Sequence, residues 1–160
     1  MAVVMYIPLD CHLQEWEYLH SGFVEVFVPF YWDFDQVNGI LRFRLAGRIT
    51  DEEVHDYYRE ASEIALAVNP RAGIMDLSDV ISLDVSRQTI SNLAKGVPIL
   101  PDPERPRIVI ASSTLVLGIT RMFLTEGEVT RPNLYVVQTQ EAAWAILGVK
   151  DVHFGPYNKK

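Results

Sequence analysis

The sequence predicts an α/β fold: a mixed, mostly parallel sheet with an antiparallel N-terminal hairpin and crossover helices. Three observations lead there. Asn38-Gly39 joins two apolar-alternating segments, residues 32–34 and 40–45, which is the strongest short-range signal for a hairpin. Apolar runs of strand length recur at residues 74–77, 107–111 and 134–137, and each precedes a segment whose apolar residues fall at helical spacing. Strands that alternate with helices need crossovers, and crossovers build parallel sheets. From Trp32 the order reads β-β-α-β-α-β-α-β-α.

Composition bounds what this fold can do. The chain of 160 residues suits one domain with one core, and 49% hydrophobic with 22% charged residues is the balance of a folded globular protein. A net charge of -7, a pI near 5.0 and the lack of a Lys/Arg cluster leave no footprint for nucleic acid. Cys11 stands alone, so no internal disulfide forms. The N-terminus lacks the basic region of a secretory signal, and the apolar run 22–32 carries Glu25 and is too short to span a bilayer. The expectation is a cytoplasmic protein without membrane insertion.

Residues 1–31 form an N-terminal extension without turn chemistry to tie it to a neighbour. Its Phe23, Val24, Val26, Phe27 and Val28 have high β-propensity, as an extra edge strand, a partly ordered arm or a dimerisation arm that would make the protein a homodimer. The domain proper is expected over residues 32–148. After the hairpin, Gly47 is read as the end of the second strand. Thr50 and Glu53 then form a capping box, and Val54, Tyr57, Tyr58, Ala61, Ile64, Ala65 and Val68 make the apolar stripe of a helix that Asn69-Pro70 stops. His55 lies on the polar face of that helix and is read as a solvated residue rather than a base or ligand.

The next stretch, residues 73–96, is the centre of the chain. Ile74, Met75 and Leu77 are read as a buried strand, Asp79, Asp84 and Ser86 as a polar turn, and Ile90, Leu93 and Ala94 as a helix that Gly96 ends. Open α/β sheets place their sites in such turns, past the carboxyl end of a strand and before a helix. Four prolines among residues 97–106 then make a stiff loop, with Ile99 and Leu100 pinned to the core. The strand RIVIA at 107–111 reads as buried on both faces. Ser112, Ser113 or Thr114 caps the helix after it, whose inward face reads Leu115, Ile119, Met122 and Phe123, with Gly118 marking a close backbone approach. Residues 134–137 are read as another buried strand, Thr139 caps a last helix, Gly148 ends it, and the tail 149–160 has no assignable role.

Three stretches together give the chain a resemblance to a known family. LAGRITDEEV (45–54), DLSDVISLDVS (76–86) and IVIASSTLVLGITRMF (108–123) are similar to the STAS domain family of sulphate transporters and anti-sigma factor antagonists, over residues 32–148. The third stretch most resembles a branch of small, single-domain, largely uncharacterised bacterial STAS-like proteins. The resemblance implies a non-enzymatic, regulatory protein-interaction module, with a kinase or sigma regulator as its protein partner. In anti-sigma factor antagonists the turn reads Asp-Ser-Ser-Gly and the second Ser is phosphorylated. Here it reads Asp84-Val85-Ser86-Arg87, which makes Ser86 the phosphoacceptor candidate and puts a long cation where the family has Gly. The STAS fold also resembles lipid-binding CRAL-TRIO domains, so a small apolar or amphipathic ligand is the alternative reading.

The residues themselves add one expectation. In a parallel sheet the helices after successive strands start at one edge, so the helix N-termini at Ser86, Ser112 to Thr114 and Gln138 to Gln140 should converge into an anion-favouring surface. The expected interaction or ligand surface is therefore Asp79, Asp84, Ser86, Arg87, Ser112 and Ser113. A competing reading of Ser86 is a plain N-cap. His12, His20, His55 and His153 are scattered, and neither a nucleophile setting, a phosphate loop nor metal-ligand spacing occurs, so no catalytic residue, metal site or cofactor is expected.

Overall fold

The computed structural model describes residues 30–157, so the readings made for the N-terminal extension lie outside the described residues except at Phe30 and Tyr31. Those two open the first strand. β1 (Phe30–Asp35) pairs antiparallel with β2 (Ile40–Thr50), with Asp35 opposite Ile40. The connection is thus a four-residue turn, longer than the two-residue loop that Asn38-Gly39 alone suggests. Asp35 shapes it: one carboxylate oxygen accepts from the backbone N–H of Val37 and of Asn38, both at 3.0 Å. Gly39 closes the turn with φ 66°, a conformation that side chains disfavour.

Gly47 does not end β2 as expected. Its φ of 74° places it between two register shifts against the next strand, and β2 runs on to Thr50. There the capping box forms, with Thr50 Oγ1 accepting from Glu53 N and Glu53 Oε2 accepting from Thr50 N at 2.7 Å. α1 (Asp51–Val68) follows and stops at Asn69, whose φ is 52°.

β3 (Ala72–Asp84) runs parallel to β2 along its whole length, and α2 (Arg87–Lys95) follows. β4 (Arg107–Ile110) pairs with β3 only as far as Asp76. Beyond that point β2 and β3 continue together as a two-stranded ribbon, about 20 Å long at the usual rise per residue. α3 (Thr114–Gly127), β5 (Leu134–Val137), α4 (Gln140–Leu147) and a two-residue β6 (Gly155–Pro156) complete the order. The sheet reads β5-β4-β3-β2-β1-β6, parallel from β2 to β5 and antiparallel on both sides of β1.

Strand alternation sorts the core into two layers. Leu41, Phe43, Leu45 and Ile49 of β2 face a large cluster with Tyr57, Ala61 and Ile64 of α1 and Val116 of α3. Ile40, Ile74, Ile108 and Ile110 face a smaller one, where α4 contributes Ala143. β4 is buried at every residue, as RIVIA predicts. Leu100 of the proline loop is also buried, and its Cδ1 would lie 2.9 Å from a Cβ on Gly73.

Four other expectations need correction. α3 buries Val116, Thr120 and Gly127, while Leu115 is exposed; Thr120 reads as polar in sequence, but its hydroxyl donates to Val116 O at 2.8 Å and so tolerates burial. Gly118 faces open space, with no heavy atom of the described residues within 4 Å of the point where a Cβ would stand, so among them it marks no close approach. β5 is half-buried because it is the sheet edge rather than an interior strand. The tail, finally, has a packing role: β6 pairs with β1, and the Phe154 ring lies 3.8 Å from the Arg42 guanidinium and 5.9 Å from the Trp144 ring.

Candidate functional site

The ribbon carries Ser86 to its far end. Asp84 pairs with Thr50, so the start of α2 lies beside the start of α1. Asp51, in the first turn of α1, accepts from Ser86 N at 2.7 Å. This bond from the Ser86 backbone N–H is the main reason the Asp51 carboxyl titrates below its usual range. Ser86 is the N-cap of α2: its Oγ accepts from Thr89 N at 3.2 Å and donates to Thr89 Oγ1 at 3.0 Å. The residue as a whole is exposed.

Around it stand charges of both signs. Asp84 is ion-paired with Arg48. Arg87 is exposed and contributes, after the Ser91 hydroxyl and Lys95, to holding the Glu126 carboxyl below its ordinary value. Exposed pairs of this kind contribute little to stability.

The six residues singled out in sequence do not form one surface. Asp84, Ser86 and Arg87 cluster at the ribbon tip. Asp79 lies part-way along the ribbon, opposite Ala46, with its carboxylate 3.9 Å from Arg44. Ser112 and Ser113 follow the end of β4, where Ser113 caps α3 by accepting from Val116 N at 3.2 Å. Thr139 caps α4 beside them at the end of β5. The expected convergence of three helix starts is therefore two separate pairings: α1 with α2 at the tip, and α3 with α4 at the main sheet edge. The cause is the length of β3, which outruns β4.

Two features escaped the sequence reading. Asp51 reads as an ordinary acidic residue in a first helical turn, and only the ribbon brings Ser86 to it. Tyr57 reads as one more member of an apolar stripe, yet it is the hub of an aromatic cluster, with the rings of Phe30, Trp32, Phe43 and Tyr58 between 5.6 and 6.4 Å away. Among the described residues no group of His, Cys, Asp and Glu is arranged to hold a metal ion, and no helix is long and apolar enough to cross a membrane.

The architecture has relatives among solved structures. The unphosphorylated form of the anti-sigma factor antagonist SpoIIAA superimposes with a TM-score of 0.52 at 11% identity, over 75% of this chain and 99% of that one. An anti-sigma factor antagonist from Mycobacterium paratuberculosis gives a TM-score of 0.52 at 20% identity, over 75% of this chain and 95% of its own. The fold is the STAS fold. No family model matches the sequence, and no curated protein matches it. In this chain the Asp84 to Arg87 turn lies at the tip of the β2–β3 ribbon, beyond the point where β4 stops pairing.

Proposed function

We propose that this STAS-fold chain is a non-enzymatic regulatory module that binds a protein partner through the ribbon tip. The observation that carries this reading is the exposed Ser86 at a projecting tip where two helix N-termini meet. The partner classes are those of the resembling antagonists, a kinase or a sigma regulator. A phosphate on Ser86 would sit at the start of α2, where the helix dipole and Arg87 favour negative charge, and it would repel Asp51 and Asp84. That repulsion would break the Ser86 N to Asp51 bond and loosen α1 from α2, which gives a modification at one atom a readout over the whole tip.

Capture of partners from the native host by wild-type protein, Ser86→Ala and Ser86→Asp tests the reading. A partner retained by wild type and Ser86→Ala but lost by Ser86→Asp supports a switch. A partner bound equally by all three leaves Ser86 as a cap only.

A second reading, a small apolar or amphipathic ligand, is favoured by a different observation: an apolar cavity of about 90 Å³ lies between the sheet and the helices of the larger cluster. Native mass spectrometry of the purified chain tests it, and a co-purifying small molecule is the expected outcome.

A further inference from the structure

The hairpin turn is built on Asn38-Gly39, the one Asn-Gly pair in the chain. A glycine after asparagine has no side chain to shield its backbone nitrogen, which is then able to attack the asparagine Cγ. The new N–Cγ bond closes a succinimide ring, and the Cγ–Nδ2 bond breaks as Nδ2 leaves as ammonia, carrying the proton of the glycine nitrogen. Water adds to either ring carbonyl and opens it, leaving aspartate or isoaspartate.

Neither residue of the pair is free to change. Gly39 has φ 66°, and a Cβ on it would stand 3.3 Å from the Cβ of Arg71. Asn38 gives its side-chain amide to two acceptors: Nδ2 donates to Asp35 Oδ2 at 2.7 Å and to the Asp151 carbonyl at 2.8 Å. Asp35 is fully buried, yet it titrates below its usual range and so only accepts. An acid at position 38 has no proton for either acceptor and sets a second carboxylate against the first.

The same bonds govern the rate. Ring closure requires the Asn38 side chain to turn toward Gly39 N, and the two bonds hold its amide toward Asp35 and Asp151 instead. The backbone is fixed on both sides, by Asn38 N donating to Asp35 Oδ1 at 3.0 Å and by Gly39 O accepting from Arg71 N at 2.7 Å. A bond to a charged group favours the held geometry by about 10- to 150-fold.

We infer that Asn38 is a site of spontaneous deamidation, restrained while the segment at Asp151 stays docked, and that its conversion to an acid undocks that segment. The product carboxylate meets the Asp35 carboxylate and the Asp151 carbonyl with no donor between them, and isoaspartate also lengthens the main chain inside the turn. Asp151 lies just before His153, whose N–H is bonded to Asp35, and Phe154, whose ring lies on Arg42, so the loss spreads along the segment to β6.

The test incubates the full chain at mildly alkaline pH and follows Asn38 by mass spectrometry of its peptide, with Asn92 and Asn133 as internal controls. Asn38 is expected to deamidate at least about tenfold more slowly in the folded chain than in urea. Phe154→Ala, which loosens the segment and leaves the turn residues in place, should raise the folded rate while Ile74 stays protected from exchange. Deamidated wild type, separated from its parent by its added charge, should lose hydrogen-exchange protection at the His153 and Tyr157 amides, and Asn38→Asp should reproduce that loss. A folded rate equal to the rate in urea, or one that Phe154→Ala leaves unchanged, overturns the restraint. Parent-like protection of both amides in the deamidated chain overturns the undocking.

Discussion

Asp35 is the residue on which the hairpin and the chain's C-terminal segment both depend. It is fully buried, and besides the two turn amides it accepts from Asn38 Nδ2 at 2.7 Å and from His153 N at 3.1 Å. Burial alone would raise its pKa, but the bonds from Asn38, His153 and Val37 outweigh burial and the carboxyl titrates below its usual value. A depressed carboxylate pKa contributes stability that is present above the unfolded value of about 3.9 and is lost as pH falls through the folded value. Asp35→Ala should therefore cost roughly 1.5 to 3 kcal/mol near pH 7, the range for bonds to a charged group. Urea unfolding at a series of pH values checks both parts. The wild-type midpoint should fall steeply below about pH 4, and the Asp35→Ala midpoint less so; parallel pH profiles would show that Asp35 is not the group responsible. At Ser86 the expected stability order is different. Ser86→Ala should cost about 0.5 to 2 kcal/mol through the lost cap, whereas Ser86→Asp keeps an acceptor at a helix start but sets a charge beside Asp51 and Asp84, so it should recover only part of that loss. Thermal melts of the two variants decide it.

Among the elements, α3 gives the sharpest expected gain. Gly118 is exposed in the middle of a helix with nothing near it among the described residues, so Gly118→Ala should stabilise the protein by about 1 kcal/mol, the usual helix-interior difference. Denaturant melts showing no gain, or a loss, would mean that something does approach this position. The C-terminal segment makes the opposite case. Phe154 covers Arg42, a largely buried cation that donates to both oxygens of Asp33 at 2.9 and 2.6 Å. Phe154→Ala should cost roughly 1 to 2 kcal/mol, because it removes a desolvated cation–π contact and opens the pair to water. These elements also mark where sequence pattern stops informing. The capping box, the stops at Asn69 and Gly148 and the strand RIVIA were legible, because each is written in neighbouring residues. The ribbon was not, because its length depends on where β4 stops pairing, and bulges within β3 break the alternation that would have marked Asp79 and Asp84 as strand. Nor was the role of the tail, since nothing local in Phe154 or Gly155-Pro156 names Arg42 or β1 as a neighbour.

At the scale of the whole molecule the two sides of the sheet are unequal, and that inequality predicts how the fold opens. The larger cluster is closed by α1, with four buried residues, and by Val116 and Thr120 of α3. The other side is closed by α4, whose eight residues bury Ala143 alone and which packs on β4 and the edge strand β5. A helix this short gains little from its own hydrogen bonds and depends on packing, which is the limited part here. Local openings follow the free energy of the contacts they break, so α4 and β5 should open well before β3 and β4. The Tyr57 cluster lies on the better-covered side, so such an opening would leave the aromatic hub intact. Native-state hydrogen exchange tests the order: amides of α4 should exchange through openings that cost less than global unfolding, while those of Ile74 and Met75 at the centre of β3 should wait for global unfolding. Equal protection for Ala143 and Met75 would mean that the smaller cluster is not a separate unit and that the sheet opens from both faces at once.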